Sequence, residues 1–394
     1  MTPYEHDCYA VTHPGLETVL AAELSAVGLA PGAAEPGGVA FRTDLAGFYA
    51  ANLQLRTASR VLLRIAEFPA RTFAELERRA RRLPWAEYLA PGAAVAFRVA
   101  SRKSKLYHQE GVGERLGEAA ERAVPGLRFA GDEAHLFVVR LHRDRCTISA
   151  DGSGELLHRR GYRQAVAKAP LRETLAAAML LAAGWDGGAP LVDPMCGSGT
   201  IAIEGALIAR RVAPGLGRRF AFERWPTFEP RVWRALRDAA RAACARSAPA
   251  PILASDRDAG AIDSALANAG RADVAGDIEF RRAALSSIEP PSAPGLVATN
   301  PPYGIRVGER RRLRDLYAQL GNVARRKCAG WRLVMLAAHR DLEAQVQIPF
   351  ETLAATTNGG IKVRIVSGFV PGRNSPSSSD LPADGRPRHT VDIS

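Results

Sequence analysis

The stretch Leu191-Val192-Asp193-Pro194-Met195-Cys196-Gly197-Ser198-Gly199-Thr200 predicts a strand that turns through two glycines into a helix. Glycine lets the backbone approach a ligand closely, and the free N–H groups at a helix N-terminus attract carboxylate or phosphate. Around this stretch, up to about residue 340, strands, turns and helices alternate, which is the pattern of a doubly wound parallel sheet. We therefore expect an α/β domain that binds a ligand at this turn.

A second motif follows a predicted buried strand at 295–299 and reads Asn300-Pro301-Pro302-Tyr303. In open α/β sheets, ligands bind at the carboxyl ends of strands. The Asn300 amide oxygen and the Pro301 carbonyl can accept both N–H bonds of a flat amino group, and the Tyr303 ring can stack on a base. We predict Asn300, Pro301, Pro302 and Tyr303 as catalytic residues for methyl transfer to a planar nitrogen. Alignment and charge placement suffice for this reaction, without a metal or a side-chain nucleophile.

The glycine turn alone leaves a dehydrogenase open, because Gly197-x-Gly199-x-x-Ala202 fits the loose dinucleotide fingerprint. That fingerprint expects a ribose-binding acid about 20 residues on. Here the next strand ends much farther along, at Asp256, after an insertion rich in arginine and aromatic residues. A strand-end carboxylate can accept both ribose hydroxyls. The predicted cofactor-binding residues are Asp193, Pro194, Met195, Cys196, Gly197, Ser198, Gly199, Thr200, Asp256, Arg257 and Asn300.

The charge of the chain indicates a polyanionic partner. The net charge is +12 and the pI about 9.9, although a GC-rich genome could also enrich arginine. From Arg56 to Lys105, Lys and Arg outnumber Asp and Glu by twelve to four. Short strands and helices alternate here without a glycine-rich phosphate loop, which is typical of a small α+β binding module. The predicted RNA-binding residues are Arg102, Lys103, Lys105, Arg159, Arg160 and Arg163.

Length and composition limit the remaining choices. A chain of 394 residues predicts two or three domains, and 47% hydrophobic residues suffice for packed cores. The absence of a long apolar run, of a signal peptide and of metal-ligand cysteine spacing predicts a reduced cytoplasmic protein without a membrane span or a metal. Asn358-Gly359-Gly360 between two strand-like runs predicts a hairpin, and 371–394 a disordered tail.

Four segments of the C-terminal half carry a resemblance to a known family. They are 157–163 (LHRRGYR), 169–176 (APLRETLA), 193–204 (DPMCGSGTIAIE) and 300–309 (NPPYGIRVGE). The chain resembles the THUMP-containing, class I S-adenosylmethionine-dependent methyltransferases that modify guanine N2 in 23S ribosomal RNA. In the N-terminal half, 52–62 (NLQLRTASRVL) and 101–108 (SRKSKLYH) are similar to that family's ferredoxin-like and THUMP segments. The likeness spans about residues 4–370.

The resemblance implies four regions: a ferredoxin-like domain (1–55), a THUMP RNA-binding domain (56–155), a Rossmann-like methyltransferase domain (156–370) and the tail (371–394). The cofactor would be S-adenosylmethionine, and the partner of this monomer would be 23S ribosomal RNA or its precursor particle. Ala284 departs from the family, which usually presents an acid beside the adenine amine; backbone groups or Ser286 would then contact the base. A transfer RNA guanine-N2 methyltransferase and a non-catalytic RNA-binding assembly factor remain as alternatives.

Overall fold

The computed structural model describes residues 5–129, 134–164, 171–291, 293–303 and 310–371. They form two seven-stranded sheets, one in each half of the chain. The predicted tail, beyond residue 371, lies outside these ranges. Residues 165–170 and 304–309 also lie outside them and contain parts of the motifs at 169–176 and 300–309. Within the described ranges, no helix is both long and apolar enough to cross a membrane.

The first sheet occupies the N-terminal half and is mainly antiparallel. Its strands are β1 (His6–Val11), β2 (Pro31–Glu35), β3 (Gly38–Thr43), β4 (Arg60–Pro69), β5 (Val95–Arg102), β6 (His135–His142) and β7 (Arg145–Asp151). Its helices are α1 (Glu17–Ala26), α2 (Leu45–Gln54), α3 (Phe73–Ala80) and α4 (Gln109–Ala123). The strand order is β2-β3-β1-β4-β7-β6-β5. Because β4 pairs with both β1 and β7, the regions predicted as 1–55 and 56–155 share one continuous sheet.

The second sheet has the predicted doubly wound architecture. Its strands are β8 (Leu191–Asp193), β9 (Ile252–Asp256), β10 (Ile278–Arg282), β11 (Leu296–Thr299), β12 (Arg332–Ala337), β13 (Glu351–Asn358) and β14 (Ile361–Phe369). Its helices are α5 (Glu173–Ala182), α6 (Thr200–Ala209), α7 (Pro230–Ala242), α8 (Ala259–Arg271), α9 (Arg310–Lys327) and α10 (Arg340–Gln345). The order is β10-β9-β8-β11-β12-β14-β13, and β14 runs antiparallel to β12 and β13. The Rossmann-like sheet and the C-terminal hairpin are therefore confirmed.

Parallel pairing decides where the functional segments meet. β8 pairs with β9 on one side and β11 on the other, and β10 pairs with β9, all in parallel. Since the carboxyl ends of parallel strands lie at one edge, the turn after β8, Asp256 at the end of β9 and Asn300 after β11 come together there. Local sequence supports this edge: the Asp258 side chain accepts from the Gly260 N–H at 2.9 Å and so starts α8 immediately after Asp256.

The insertion between α6 and β9 joins the two halves. Its aromatic residues pack into the core of the N-terminal half, with Phe222 stacked on Tyr49 at 4.4 Å and Trp225 stacked on Phe48 at 5.7 Å between ring centroids. Large buried aromatic side chains contribute strongly to packing energy. The long gap between the glycine turn and Asp256 is therefore filled by the segment that attaches the second domain to the first.

Candidate active site at the carboxyl ends of the second sheet

A cavity of about 700 Å³ opens at this edge of the second sheet. Its wall contains Pro194 and Met195 from the glycine turn, Asp256 and Arg257 after β9, and Asn300 and Pro302 after β11. The volume lies within the range of about 300–1,000 Å³ that is usual for small-molecule sites. The predicted donor and acceptor segments therefore share one continuous space, as methyl transfer between them requires.

A larger groove of about 920 Å³ lies far from this chemistry, between α4 and β5. Apolar side chains such as Phe97 and Phe129 line it together with Glu110, Glu114 and Glu118. A rim of carboxylates repels a polyanion, and no pair of polar groups in the groove matches the donor and acceptor motifs. We therefore place the reaction in the smaller cavity.

The glycine turn is shaped by backbone conformation more than by its side chains. Gly197 and Gly199 have φ of +52° and +82°, which side chains disfavour. A Cβ on Gly197 would meet nothing within 4 Å, so the backbone faces open space there. A Cβ on Gly199 would instead lie 3.0 Å from the Ala265 side chain of α8. Gly197 therefore allows close approach of a ligand, whereas Gly199 allows close helix packing.

The other predicted members of the turn divide between cavity and interior. Cys196, Ser198 and Thr200 are buried, and the Ser198 carbonyl accepts from the Asn268 side chain of α8 at 3.0 Å. These three residues do not appear in the cavity wall. Their contribution is to hold the shape of the turn, so direct ligand contact from this stretch is expected at Pro194, Met195 and the backbone of Gly197.

Asp256 is held in place by two backbone N–H groups. One carboxylate oxygen accepts from Gly197 at 3.0 Å, and the other accepts from Asp258 at 3.0 Å. A carboxylate oxygen has two lone pairs, so each oxygen keeps one for a further donor. The side chain is therefore oriented before any ligand arrives and can still accept a pair of hydroxyl groups.

Asp193 lies behind the cavity wall. Its side chain is buried and accepts from the Met195 N–H at 3.3 Å. Burial is the main cause that raises the pKa of this carboxyl to about 8, and the nearby Asp256 charge raises it further. A neutral pH therefore leaves Asp193 poised to ionise when a cation is placed nearby, although the side chain is not part of the wall itself.

The acceptor motif presents an unsatisfied amide oxygen. Asn300 Oδ1 is buried, and no described residue donates a hydrogen bond to it. Buried polar atoms without a partner are rare and costly in proteins, and they mark places where a ligand can complete the bonding. Pro301 is buried and Pro302 is exposed at the cavity. The geometry agrees with a pocket that accepts hydrogen bonds from an amino group.

Tyr303 is fixed by a contact that its sequence position does not reveal. Its ring packs against the core on one face of the second sheet, and its hydroxyl oxygen accepts from the Asn358 amide at 2.6 Å. Burial raises the pKa of Tyr303. Asn358 is the last residue of β13 and precedes the turn of the β13–β14 hairpin, so the hairpin orients the last residue of the acceptor motif. Tyr303 lies beside the cavity wall, and its stacking role stays a prediction.

The six basic residues predicted to bind RNA have different environments. Arg102, Lys103 and Lys105 are exposed at the end of β5, and Arg159 is exposed beside Glu155 at 3.0 Å. Across the same sheet end, strand register aligns Arg102 with His142 and His142 with Arg145. Arg143, in the adjoining β6–β7 turn, is also exposed. This end of the first sheet is therefore a basic surface, to which sequence analysis had not assigned Arg143.

Arg160 and Arg163 require a correction, because they are not surface residues. Arg160 is 7% exposed; it lies 3.5 Å from Glu204 and donates to the Leu157 and Arg56 carbonyls, each at 2.6 Å. Arg163 lies 3.3 Å from Glu173 and donates to Thr200 Oγ1 at 2.9 Å. Their guanidinium groups are used inside the protein and tie the linker between the halves to α5 and α6. They are not available to phosphate.

Sequence analysis did not find one wall of the cavity. Helix α9 contributes Arg312, Leu313, Leu316 and Gln319 to the lining. These positions recur at helical spacing, so they form one face of α9. The spacing could have indicated an amphipathic helix, but no local signal shows which face meets the strand ends.

The residues of the cavity fit S-adenosylmethionine. Asp256 offers a carboxylate with spare lone pairs for ribose hydroxyls, and Gly197 leaves open space for close backbone contact. Buried Asp193 provides a carboxyl that can ionise beside a cationic ligand, and Leu285, Leu313 and Leu316 provide apolar surface for a base. Asn300, whose buried amide oxygen has no partner among the described residues, belongs to the same wall.

Comparisons with known proteins agree with this geometry. Residues 160–359 match the family model of the RMKL-like methyltransferase domain, and 7–62 match that of the RlmL ferredoxin-like domain. A protein of Synechocystis sp., named provisionally as an RNA methyltransferase, is 34% identical over 90% of this chain and 94% of its own length. A ribosomal RNA large subunit methyltransferase K/L of Methylococcus capsulatus is 36% identical over 92% of this chain, which spans only 51% of that protein. A solved structure, named provisionally as a methyltransferase and complexed with S-adenosylhomocysteine, is 29% identical, with a TM-score of 0.84 over 95% of this chain and 100% of its own.

Proposed function

Because the chain belongs to the RMKL-like methyltransferase family and uses S-adenosylmethionine, we propose that it methylates the exocyclic N2 amine of a guanosine in 23S ribosomal RNA. One observation carries the proposal: a single cavity joins the oriented carboxylate of Asp256 to the partnerless amide oxygen of Asn300. The chain spans about half the length of the K/L relatives it matches. The proposed activity is therefore stated for this chain and not for those longer proteins.

The donor side of the cavity binds and orients S-adenosylmethionine. Asp256 holds the ribose hydroxyls, the backbone at Gly197 allows close approach, and Asp193 stabilises positive charge from behind the wall. S-adenosylmethionine supplies a methyl group already activated by its sulfonium centre. Since alignment of reactants alone can account for a large part of such a rate enhancement, rigid orientation by these residues is the main requirement.

The acceptor side makes the amine nucleophilic. The lone pair of a guanine N2 amine is delocalised into the ring, which makes the nitrogen a poor nucleophile. When Asn300 Oδ1 and the Pro301 carbonyl accept its two N–H bonds, the nitrogen is drawn toward tetrahedral geometry and the lone pair is localised. Both groups are positioned by β11 and by the rigid prolines before the base enters, so little reorganisation is needed.

Basic residues at two places in the structure support the proposal that the acceptor is RNA. The end of the first sheet carries exposed Arg102, Lys103, Lys105 and Arg143, which suit phosphate. At the cavity, α9 begins with arginines and has no acid in its first turn, although helix N-termini favour negative charge. Arg312 lines the cavity there and pairs with no carboxylate among the described residues. A polyanion at the cavity mouth would stabilise this arrangement.

The experiment combines methylation with nucleoside mass spectrometry. The protein and S-adenosylmethionine are incubated separately with unmodified 23S ribosomal RNA and with unmodified transfer RNA, and the digested nucleosides are analysed. We expect N2-methylguanosine from the ribosomal RNA only, and none with the Asn300→Ala variant. Methylation of transfer RNA alone would transfer the proposal to that substrate. Donor binding without methylation of either RNA would contradict the catalytic proposal and favour an assembly factor.

A further inference from the structure

The position of the donor's adenine follows from the order of the strands. This inference rests on the donor and acceptor positions proposed above. The methyl group must face Asn300 after β11, and the ribose must meet Asp256 after β9. Because the sheet order is β10-β9-β8-β11, the base then lies on the side of β10. There the cavity wall is formed by Ala283, Ala284 and Leu285.

The wall on the β10 side has no side-chain acceptor for the adenine amine. Ala283 and Ala284 end in methyl groups, and Leu285 is apolar. Arg257 carries only donors. Asp256 is committed to two backbone N–H groups and the ribose. Ser286, which follows Leu285, is not part of this wall, so recognition of an N6 amine by a side chain of the wall requires a residue from another element.

Helix α9 crosses this side of the cavity in a defined direction. It begins at Arg310, shortly after the acceptor motif, and near its end Lys327 donates to the Ile288 carbonyl at 2.8 Å, in the segment that follows β10. Between these ends, Leu313 and Leu285 belong to the same buried cluster. Helix α9 thus starts close to the acceptor motif in the chain and packs along the segment that follows β10.

Arg312 and Gln319 lie at the two ends of the α9 face that lines the cavity. At about 1.5 Å rise per residue, roughly 10 Å of helix separates them. Arg312 is the nearer of the two to the acceptor motif along the chain, and Gln319 shares the cavity wall with Ala283, Ala284 and Leu285. Gln319 is exposed, and none of the hydrogen bonds recorded between described residues occupies its amide. Among the described wall residues of this end, it is the side chain that offers both an acceptor and a donor.

We propose that the Gln319 amide recognises the amine-bearing edge of the donor's adenine. A glutamine side chain pairs with adenine in a bidentate way, because its oxygen accepts from the N6 amine while its nitrogen donates to N7. Leu285, Leu313 and Leu316 of the same wall offer apolar surface to the ring of the base. The residue thus determines specificity for an adenosyl donor and replaces an acid that Ala284 does not provide.

Calorimetry with two ligands tests this. S-adenosylhomocysteine carries the N6 amine, whereas S-inosylhomocysteine carries a carbonyl oxygen there. We expect wild-type protein to prefer S-adenosylhomocysteine by about tenfold or more. Gln319→Ala should weaken S-adenosylhomocysteine about tenfold and bring the two affinities close together. Gln319→Glu should retain binding of S-adenosylhomocysteine and reject S-inosylhomocysteine more strongly, since a carboxylate can only accept.

Asn322→Ala is the control, because Asn322 is exposed on the same helix outside the cavity wall. It should behave as the wild type toward both ligands. An unchanged preference in Gln319→Ala would overturn the inference and assign adenine recognition to the backbone. Failure of the wild-type protein to bind either ligand would overturn the donor assignment, and this inference with it.

Discussion

The two sheets have equal numbers of strands, but their charged residues lie in different environments. In the first, mainly antiparallel sheet, the basic residues at one end are exposed and surrounded by water. In the second, parallel strands bring Asp193, Asp256 and Asn300 to one edge, where side chains are held by the backbone or buried. Screened surface charges contribute small, additive amounts, whereas buried polar groups contribute much more per residue. Substitutions of residues with the same charge are therefore expected to differ greatly in their effect on stability or activity.

The largest difference in the free energy of unfolding is expected between alanine variants of two neighbouring arginines. Arg160→Ala leaves Glu204 buried without its cation and should destabilise the protein by about 3–5 kcal/mol. Arg159→Ala removes an exposed pair with Glu155 and should cost about 1 kcal/mol or less. Parallel denaturant unfolding of both variants measures this. Equal losses would mean that burial does not separate the two residues.

Asn300→Ala should lower kcat by about 10²–10³-fold, the range found when one pre-organised hydrogen-bonding group is removed. Donor binding should stay nearly intact, because the proposed role of Asn300 Oδ1 is to accept from the amine of the base. Single-turnover methylation and calorimetry with S-adenosylhomocysteine provide the two measurements, with Asn322→Ala as the control. Comparable loss of donor binding would show that Asn300 is structural.

Asp256→Asn should weaken S-adenosylhomocysteine binding by about 10- to 100-fold, because charge-assisted hydrogen bonds are lost. The amide nitrogen would also face a backbone N–H, which it cannot accept. Asp263→Asn, an exposed change on α8, is the matched control and should bind normally. RNA affinity should be unaffected in both variants. Normal donor affinity of Asp256→Asn would remove Asp256 from the site.

Asp193 should make the stability of the ligand-free protein depend on pH. Burial raises its folded pKa to about 8, whereas an unfolded carboxyl ionises near pH 4. Between these values the unfolded chain loses a proton that the folded protein keeps, so this group's contribution falls as pH rises and levels off above about 8. The Asp193→Asn variant has no carboxyl at this position, so its stability does not fall with pH for this reason. Its stability relative to wild type should therefore rise by more than about 1 kcal/mol from pH 5 to pH 8. A constant difference in urea unfolding would contradict the raised pKa.

The smallest effect per residue is expected at the basic end of the first sheet. Replacing Arg102, Lys103 and Lys105 by glutamine should weaken RNA binding and flatten its salt dependence by about 2–3 in the log–log slope, since each phosphate contact contributes roughly 0.7–0.9. Filter binding at several salt concentrations measures this. The control neutralises three exposed arginines of α7, Arg231, Arg234 and Arg241. Equal flattening in both variants would mean that net charge matters and the surface does not.

Much of the catalytic half was predictable from sequence for local reasons. The chain turns after β8 at Gly197-x-Gly199, because glycine readily adopts positive φ, and the Asn358-Gly359-Gly360 stretch forms the hairpin that its composition predicts. The hydrophobic pattern of alternating strands and helices determined the fold class. These features depend on dihedral preferences and burial within a few residues, which the sequence displays directly.

Only the tertiary structure decided the roles that depend on distant contacts. It placed Arg160 beside Glu204 and left Arg159 in water, although the two residues are adjacent in the chain. It also brought Gln319 into the cavity wall and Asn358 onto the Tyr303 hydroxyl. Spacing along one segment cannot report such contacts, because they arise when elements far apart in the chain pack together and remove particular side chains from solvent.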